Sequence, residues 1–138
     1  MRFAILDTDV YIGHWERGLY EATLANVRRA YIVRQSAVVL SELRRGARNR
    51  RALRLVENLF RLAAVRWEPL AVDWWEAGNL IRKIGDKRGW ETHKRREFQN
   101  DALIALTARR YGATVVTANH LDFDLLAREL RVSILSAT

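Results

Sequence analysis

The sequence predicts an α/β fold with a parallel sheet covered by helices on both faces, and three observations lead there. Two short apolar runs, FAIL at 3–6 and TVVT at 114–117, have the unbroken hydrophobic or β-branched character of buried parallel strands. Segments with helical spacing alternate with such runs along the chain, which is the order of strand–helix–strand units. Acidic residues recur where strands end or helices begin, at Asp7, Glu42, Asp101 and Asp122. In an open parallel sheet that rim is the ligand crevice.

The elements follow in order. Phe3–Leu6 reads as the first strand. A helix-like segment then places Tyr20, Leu24, Val27 and Tyr31 on one side. Tyr31–Ala37 has the β-branched and aromatic content of a second strand, and VVLSELRRGA reads as a helix closed near Gly46. Asn49 is suited to cap a helix carrying Leu53, Val56, Leu59, Phe60 and Ala63. Arg66–Leu70 is expected to be a strand running into Pro69, the sole proline. Asp73 with Glu76 resembles a capping box opening a helix whose packed face holds Trp74, Ala77, Ile81 and Ile84. Gly85 to Gly89 reads as a polar loop. Phe98–Tyr111 is a helix ended by Gly112, Thr114–Thr117 a strand, and Val132–Leu135 the last strand.

A length of 138 residues, without repeats or linkers, predicts one domain over 1–138. The absence of cysteine excludes disulfides, thiolate catalysis and sulfur-bound zinc. The apolar start MRFAIL is too short for a signal sequence and no later run is long enough to span a bilayer, so a soluble cytoplasmic protein is expected. Charge is the unusual feature. Lys and Arg number 24 against 16 acids, a net +8, which attracts polyanions and nucleic acid first among them. Arg44, Arg45, Arg48, Arg50, Arg51 and Arg54 form one run without an acid, and seven bases face two acids between Arg82 and Arg96. Either run alone reads equally well as a solvated face; two runs flanking the proposed acids favour a nucleic-acid-contacting surface, with Arg44, Arg45, Arg48, Arg88, Lys94 and Arg95 as its candidates. Trp90, between bases, is the candidate for stacking on a nucleobase.

Each acid taken alone has a plain role as a cap, a helix-terminal charge or a turn residue. Together at one rim they repel one another unless a cation neutralises them, and hard divalent ions such as Mg²⁺ are the usual partners of carboxylate oxygens. Such an ion polarises a phosphate oxygen and brings the pKa of water toward neutrality. Thr8, Thr117 and Asn119 lie near the same rim, suited to orient a carboxylate or to cap a turn. His14, His93 and His120 have no metal-ligand spacing.

With these residues in place the chain resembles the PIN-domain ribonucleases, in particular the VapC-type toxins of toxin–antitoxin pairs. The resemblance rests on LDTDVYI at 6–12, SAVVLSELRRGA at 36–47 and NDALIALTARRYGATVVTANHLDF at 100–123, in order and over essentially the whole chain. It implies a three-layer α/β/α fold, a site binding Mg²⁺ or Mn²⁺ through Asp7, Glu42, Asp101 and Asp122, and endonucleolytic cleavage of RNA. It also implies a homodimer neutralised by a small antitoxin. Thr117 and Asn119 match the T-x-N-x-x-D-F pattern, whose spacing favours Asp122 over Asp124 as the fourth acid. Asp9 departs from the resemblance, standing where many relatives carry Asn, and adds a carboxylate near the site.

Other readings compete. DTDVY also resembles the D-x-D signature of haloacid-dehalogenase-type phosphatases, but that chemistry needs a later lysine, none follows Lys94, and Glu42 and Asp101 would be left without roles. A phosphoacceptor receiver domain fails on the same missing lysine. A basic nucleic-acid-binding module with a vestigial acidic site accounts for the charge and the five tryptophans, yet leaves four intact acids unexplained.

Overall fold

The computed structural model describes residues 2–138. Its centre is a four-stranded parallel sheet of β1 (Phe3–Leu6), β2 (Ile32–Val33), β5 (Thr114–Thr117) and β6 (Ser133–Ser136), in the order β2-β1-β5-β6. The registers pair Ala4 with Val33 on one side and Ile5 with Val115 on the other. A separate two-stranded parallel ladder joins β3 (Gln35–Ser36) to β4 (Arg66–Trp67). The expected strand over Tyr31–Ala37 is therefore two short pieces. Arg34 separates them while its N–H still donates to Ala4 O at 2.9 Å, so the chain leaves the sheet edge just as α3 (Ala37–Gly46) begins.

Helices cover the sheet as its apolar strands require. The core is built on α7 (Gln99–Tyr111), where every residue from Ala102 to Ala108 is buried. Small alanines alternating with leucine and isoleucine let this helix approach β1 and β5 closely. Beside it run α5 (Ala71–Arg88) and α8 (His120–Glu129). The remaining helices are α1 (Thr8–Arg17), α2 (Glu21–Ala30), α4 (Arg50–Leu62) and α6 (Thr92–Glu97). Asn49 caps α4 as expected, its side chain accepting from Ala52 N at 2.8 Å.

Four expectations are corrected. Gly85 to Gly89 is no loop: α5 runs through Gly85 to Arg88, and only Gly89, at φ 65°, turns the chain. Gly85 fits inside a helix because the Arg95 side chain packs where its Cβ would stand, the guanidinium carbon lying 2.9 Å from that position. Asp73 does not open α5 as its cap. It sits in the first turn, its carboxylate accepting from Leu70 N at 2.9 Å, and is buried against Arg110 at 2.6 Å. Trp74 is half exposed rather than packed, while Ala77, Ile81 and Ile84 are buried. In α4 only Val56 is buried, and Phe60 lies at the surface under the Arg66 guanidinium.

Candidate active site

The strand order fixes where a site forms. The chain leaves β1 toward β2 and leaves β5 toward β6, so the connections diverge and open a crevice at the carboxyl ends of β1 and β5. Asp7 follows β1 directly and is the N-cap of α1, one carboxylate oxygen accepting from Thr8 N at 2.8 Å. The other accepts from the Thr117 hydroxyl, at the end of β5, at 2.9 Å. Thr117 Oγ1 in turn accepts from Asn119 N at 2.9 Å. Asp9, in the first turn of α1, accepts from Ala118 N at 3.2 Å. The ends of β1 and β5 are thus tied by side chains across their loops.

Three more elements bring acids to this rim. Ser36 caps α3, accepting from Val39 N at 3.3 Å, and starts the helix that carries Glu42. Glu42 Oε1 accepts from the Thr8 hydroxyl at 2.8 Å. Asp101 lies in the first turn of α7 and Asp122 in the first turn of α8. Asp122 Oδ2 accepts from Asn119 Nδ2 at 3.0 Å and from Lys94 Nζ at 3.2 Å. Asp124, two residues on, is exposed, whereas Asp122 is half-buried.

Burial and like charge act together on these groups. Asp7 is 4% exposed, and its carboxyl is pushed up to about 8, first by burial and then by the charges of Asp9 and Asp101. Hydrogen bonds from Thr117 and Thr8 only partly offset this. Asp101 is pushed up to about 7 by burial, then by Glu42, Asp122 and Asp9. Two acids held near neutral pKa by burial and by like charges mark a strained cluster.

Among the described residues, no group of three acidic or histidine side chains is arranged to hold a metal ion as it stands. The chemistry of the donors nevertheless suits a hard divalent ion. They are all oxygen, from Asp7, Glu42, Asp101 and Asp122, and the burial and repulsion on Asp7 and Asp101 are what a cation would relieve.

The candidate RNA contacts separate into two kinds. Arg44, Arg45, Arg48 and Arg88 are exposed. Arg95 is committed to the fold, donating to Trp90 O at 2.9 Å and to Asp86 at 3.1 Å. Trp90 packs on Phe98 with ring centroids 4.8 Å apart and is only partly exposed. His14 faces Leu19 O at 3.0 Å, His93 pairs with Glu97 at 2.9 Å, and His120 is exposed at the start of α8. What sequence reasoning missed is Lys94's place on Asp122: a base among bases carries no signal of which one turns inward.

The family model for the PIN domain matches residues 4–129. The chain belongs to the PIN-domain family. A search of curated proteins finds no match. Among solved structures, this PIN domain is similar to VapBC-1 from nontypeable Haemophilus influenzae, with TM-score 0.69 and 18% identity over 98% of both chains. It is similar to DNA-bound VapBC from Salmonella typhimurium, with TM-score 0.68 and 21% identity over 100% of both chains. It is also similar to VapBC2 from Rickettsia felis bound to a promoter DNA fragment, with TM-score 0.67 and 19% identity over 97% of this chain and 98% of that one. At these identities the likeness establishes the fold, and the PIN fold is consistent with a nuclease. Among the described residues no helix is long and apolar enough to cross a membrane.

Proposed function

We propose that this PIN domain, acting as one unit over 1–138, is a metal-dependent endoribonuclease and the toxin of a toxin–antitoxin pair. The observation that carries the reading is the convergence of Asp7, Glu42, Asp101 and Asp122, from four elements, on the crevice between β1 and β5, with Asp7 and Asp101 pushed up to about 8 and about 7. Mg²⁺ or Mn²⁺, held by these four carboxylates, would supply Lewis-acid activation of the phosphodiester and of the attacking water.

The chain's own residues do the rest. Thr117 and Thr8 fix the Asp7 carboxylate, and Thr8 also fixes Glu42, so two acids are pre-oriented before any substrate arrives. Asn119 and Asp9 hold the β5–α8 loop that brings Asp122 to the rim. Exposed Arg44, Arg45, Arg48 and Arg88 hold the RNA backbone by charge, which suits a net +8 protein. The likeness to VapBC complexes supports an antitoxin as partner, with a homodimer and a cytoplasmic location as the matching assembly and compartment.

Incubation with total RNA in Mg²⁺, in Mn²⁺ and in EDTA, beside Asp101→Asn, tests this. Discrete products that require both metal and Asp101 support the reading. Tight RNA binding without cleavage under every condition would favour a binding module with a vestigial site.

A further inference from the structure

The basic segment before α7 contains an unusual arrangement. Glu91 caps α6, its carboxylate accepting from His93 N at 3.1 Å and Lys94 N at 2.8 Å, which fixes the direction of the first turn. Arg95 then docks the helix on α5, reaching Trp90 O and Asp86 through the space left by the missing Cβ of Gly85. The Lys94 side chain reaches toward α8 instead. Its ammonium lies 5.1 Å from the Trp90 ring centroid and 5.8 Å from that of buried Phe98, and ends 3.2 Å from Asp122 Oδ2. A surface lysine ordinarily keeps its head in water. This one is held by an anchored helix and two aromatic faces, and points into a cluster of acids.

We propose that Lys94 is a resident cation of the acidic site, standing on Asp122 where a second divalent ion would otherwise go, so that this PIN domain binds a single metal ion. The inference rests on the cluster being a metal site. Its physical basis is charge and space. An ammonium on Asp122 occupies that oxygen and repels a second divalent ion, while Asp7 and Glu42, which face Thr117 and Thr8, have no ion-paired base among the described residues. The Arg95–Gly85 packing explains why the cation stays: moving Lys94 away means undocking α6 from α5 or abandoning both rings.

The test is metal binding rather than cleavage. The full chain, stripped with EDTA, is titrated with Mn²⁺ by calorimetry, and bound Mn²⁺ is examined by electron paramagnetic resonance for coupling between neighbouring ions. The parent and Lys94→Arg should bind one ion with no coupling. Lys94→Met, checked for folding by its melting curve, should bind two ions and show the coupled spectrum. If Lys94→Met still binds one ion, only more tightly, Lys94 is a displaceable placeholder and the proposal fails. It fails equally if the parent binds two ions. A parent that binds none overturns the metal site itself, and the inference with it.

Discussion

Replacing Asp101 by Asn should make the metal-free protein more stable at alkaline pH while abolishing cleavage. The reasoning starts from burial of the carboxyl at the mouth of α7, reinforced by Glu42, Asp122 and Asp9, which raises it from 3.8 to about 7. Above about pH 4 the unfolded chain has lost this proton, whereas the folded chain keeps it until about pH 7. The fold therefore binds more protons than the unfolded state across that window, and stability falls as pH rises through it. Each tenfold change in acid dissociation is about 1.4 kcal/mol, so the full penalty reaches about 4 kcal/mol by pH 8. Asn keeps the shape and loses the charge, and residual desolvation of its amide leaves a net gain of about 2–4 kcal/mol. The assay is urea unfolding of parent and variant in EDTA at pH 4.5 and pH 8. The variant should be clearly the more stable at pH 8 and nearly level with the parent at pH 4.5. Saturating Mg²⁺ should then raise the parent, by about 2.7 kcal/mol at a hundredfold excess over Kd, and leave the variant almost unmoved. An Asp101→Asn protein less stable than the parent at pH 8, or one with the same advantage at both pH values, would refute the account of a strained cluster.

Further outcomes follow from other contacts. Thr117→Val removes the hydroxyl that bonds Asp7 and Asn119 N while keeping its volume, so metal affinity should fall roughly 10–100-fold in a calorimetric titration, and the melting temperature should drop by a few degrees because Asn119 N–H loses its acceptor. Phe98→Ala empties a buried position under Trp90 and Lys94 and should cost about 3–5 kcal/mol in urea unfolding. Charge reversal at Arg44, Arg45 and Arg48 should weaken RNA binding and flatten its dependence on salt; an unchanged slope would assign that run to solvent or to a partner. Asp73→Ala leaves Arg110 without its carboxylate and Leu70 N–H without an acceptor, and should lower the melting temperature by several degrees without altering metal affinity.

The sequence made the centre of this molecule legible and its margins less so. FAIL, TVVT and the apolar stretch Ala102–Ala108 of α7 announce themselves because almost all of their residues are buried, and Asn49 sits where a cap must. The helices α1, α6 and α8 carry no such stripe. In α1, His14, Trp15, Glu16 and Arg17 interrupt the pattern, and α6 buries nothing at all. Gly85 read as a breaker because its reason for being glycine, the Arg95 side chain against it, comes from a residue ten places later. The same limit applies to the candidate site. Asp7, Asp101 and Asp122 could be read from strand and helix ends, but Glu42, expected at a helix start, stands beyond the first turn of α3, and which base faced Asp122, and that Arg95 was spent on the fold, depended on tertiary packing.

The bonds around the crevice divide it into two unequal halves. On the β1 and β5 side, Thr117 to Asp7, Ala118 to Asp9 and Asn119 to Thr117 lace two loops together, so a change at any one of these residues disturbs the others. On the facing side, Glu42 and Lys94 arrive on α3 and α6 with one side-chain hydrogen bond each, and among the described residues the exposed Arg44, Arg45 and Arg48 make no side-chain hydrogen bond or ion pair. Mutation can therefore wander over the exposed arginines of the Arg44–Arg54 run while the laced half, Glu42 and Lys94 stay as they are. A fold divided in this way can acquire new RNA targets, or a new partner, without relearning its chemistry.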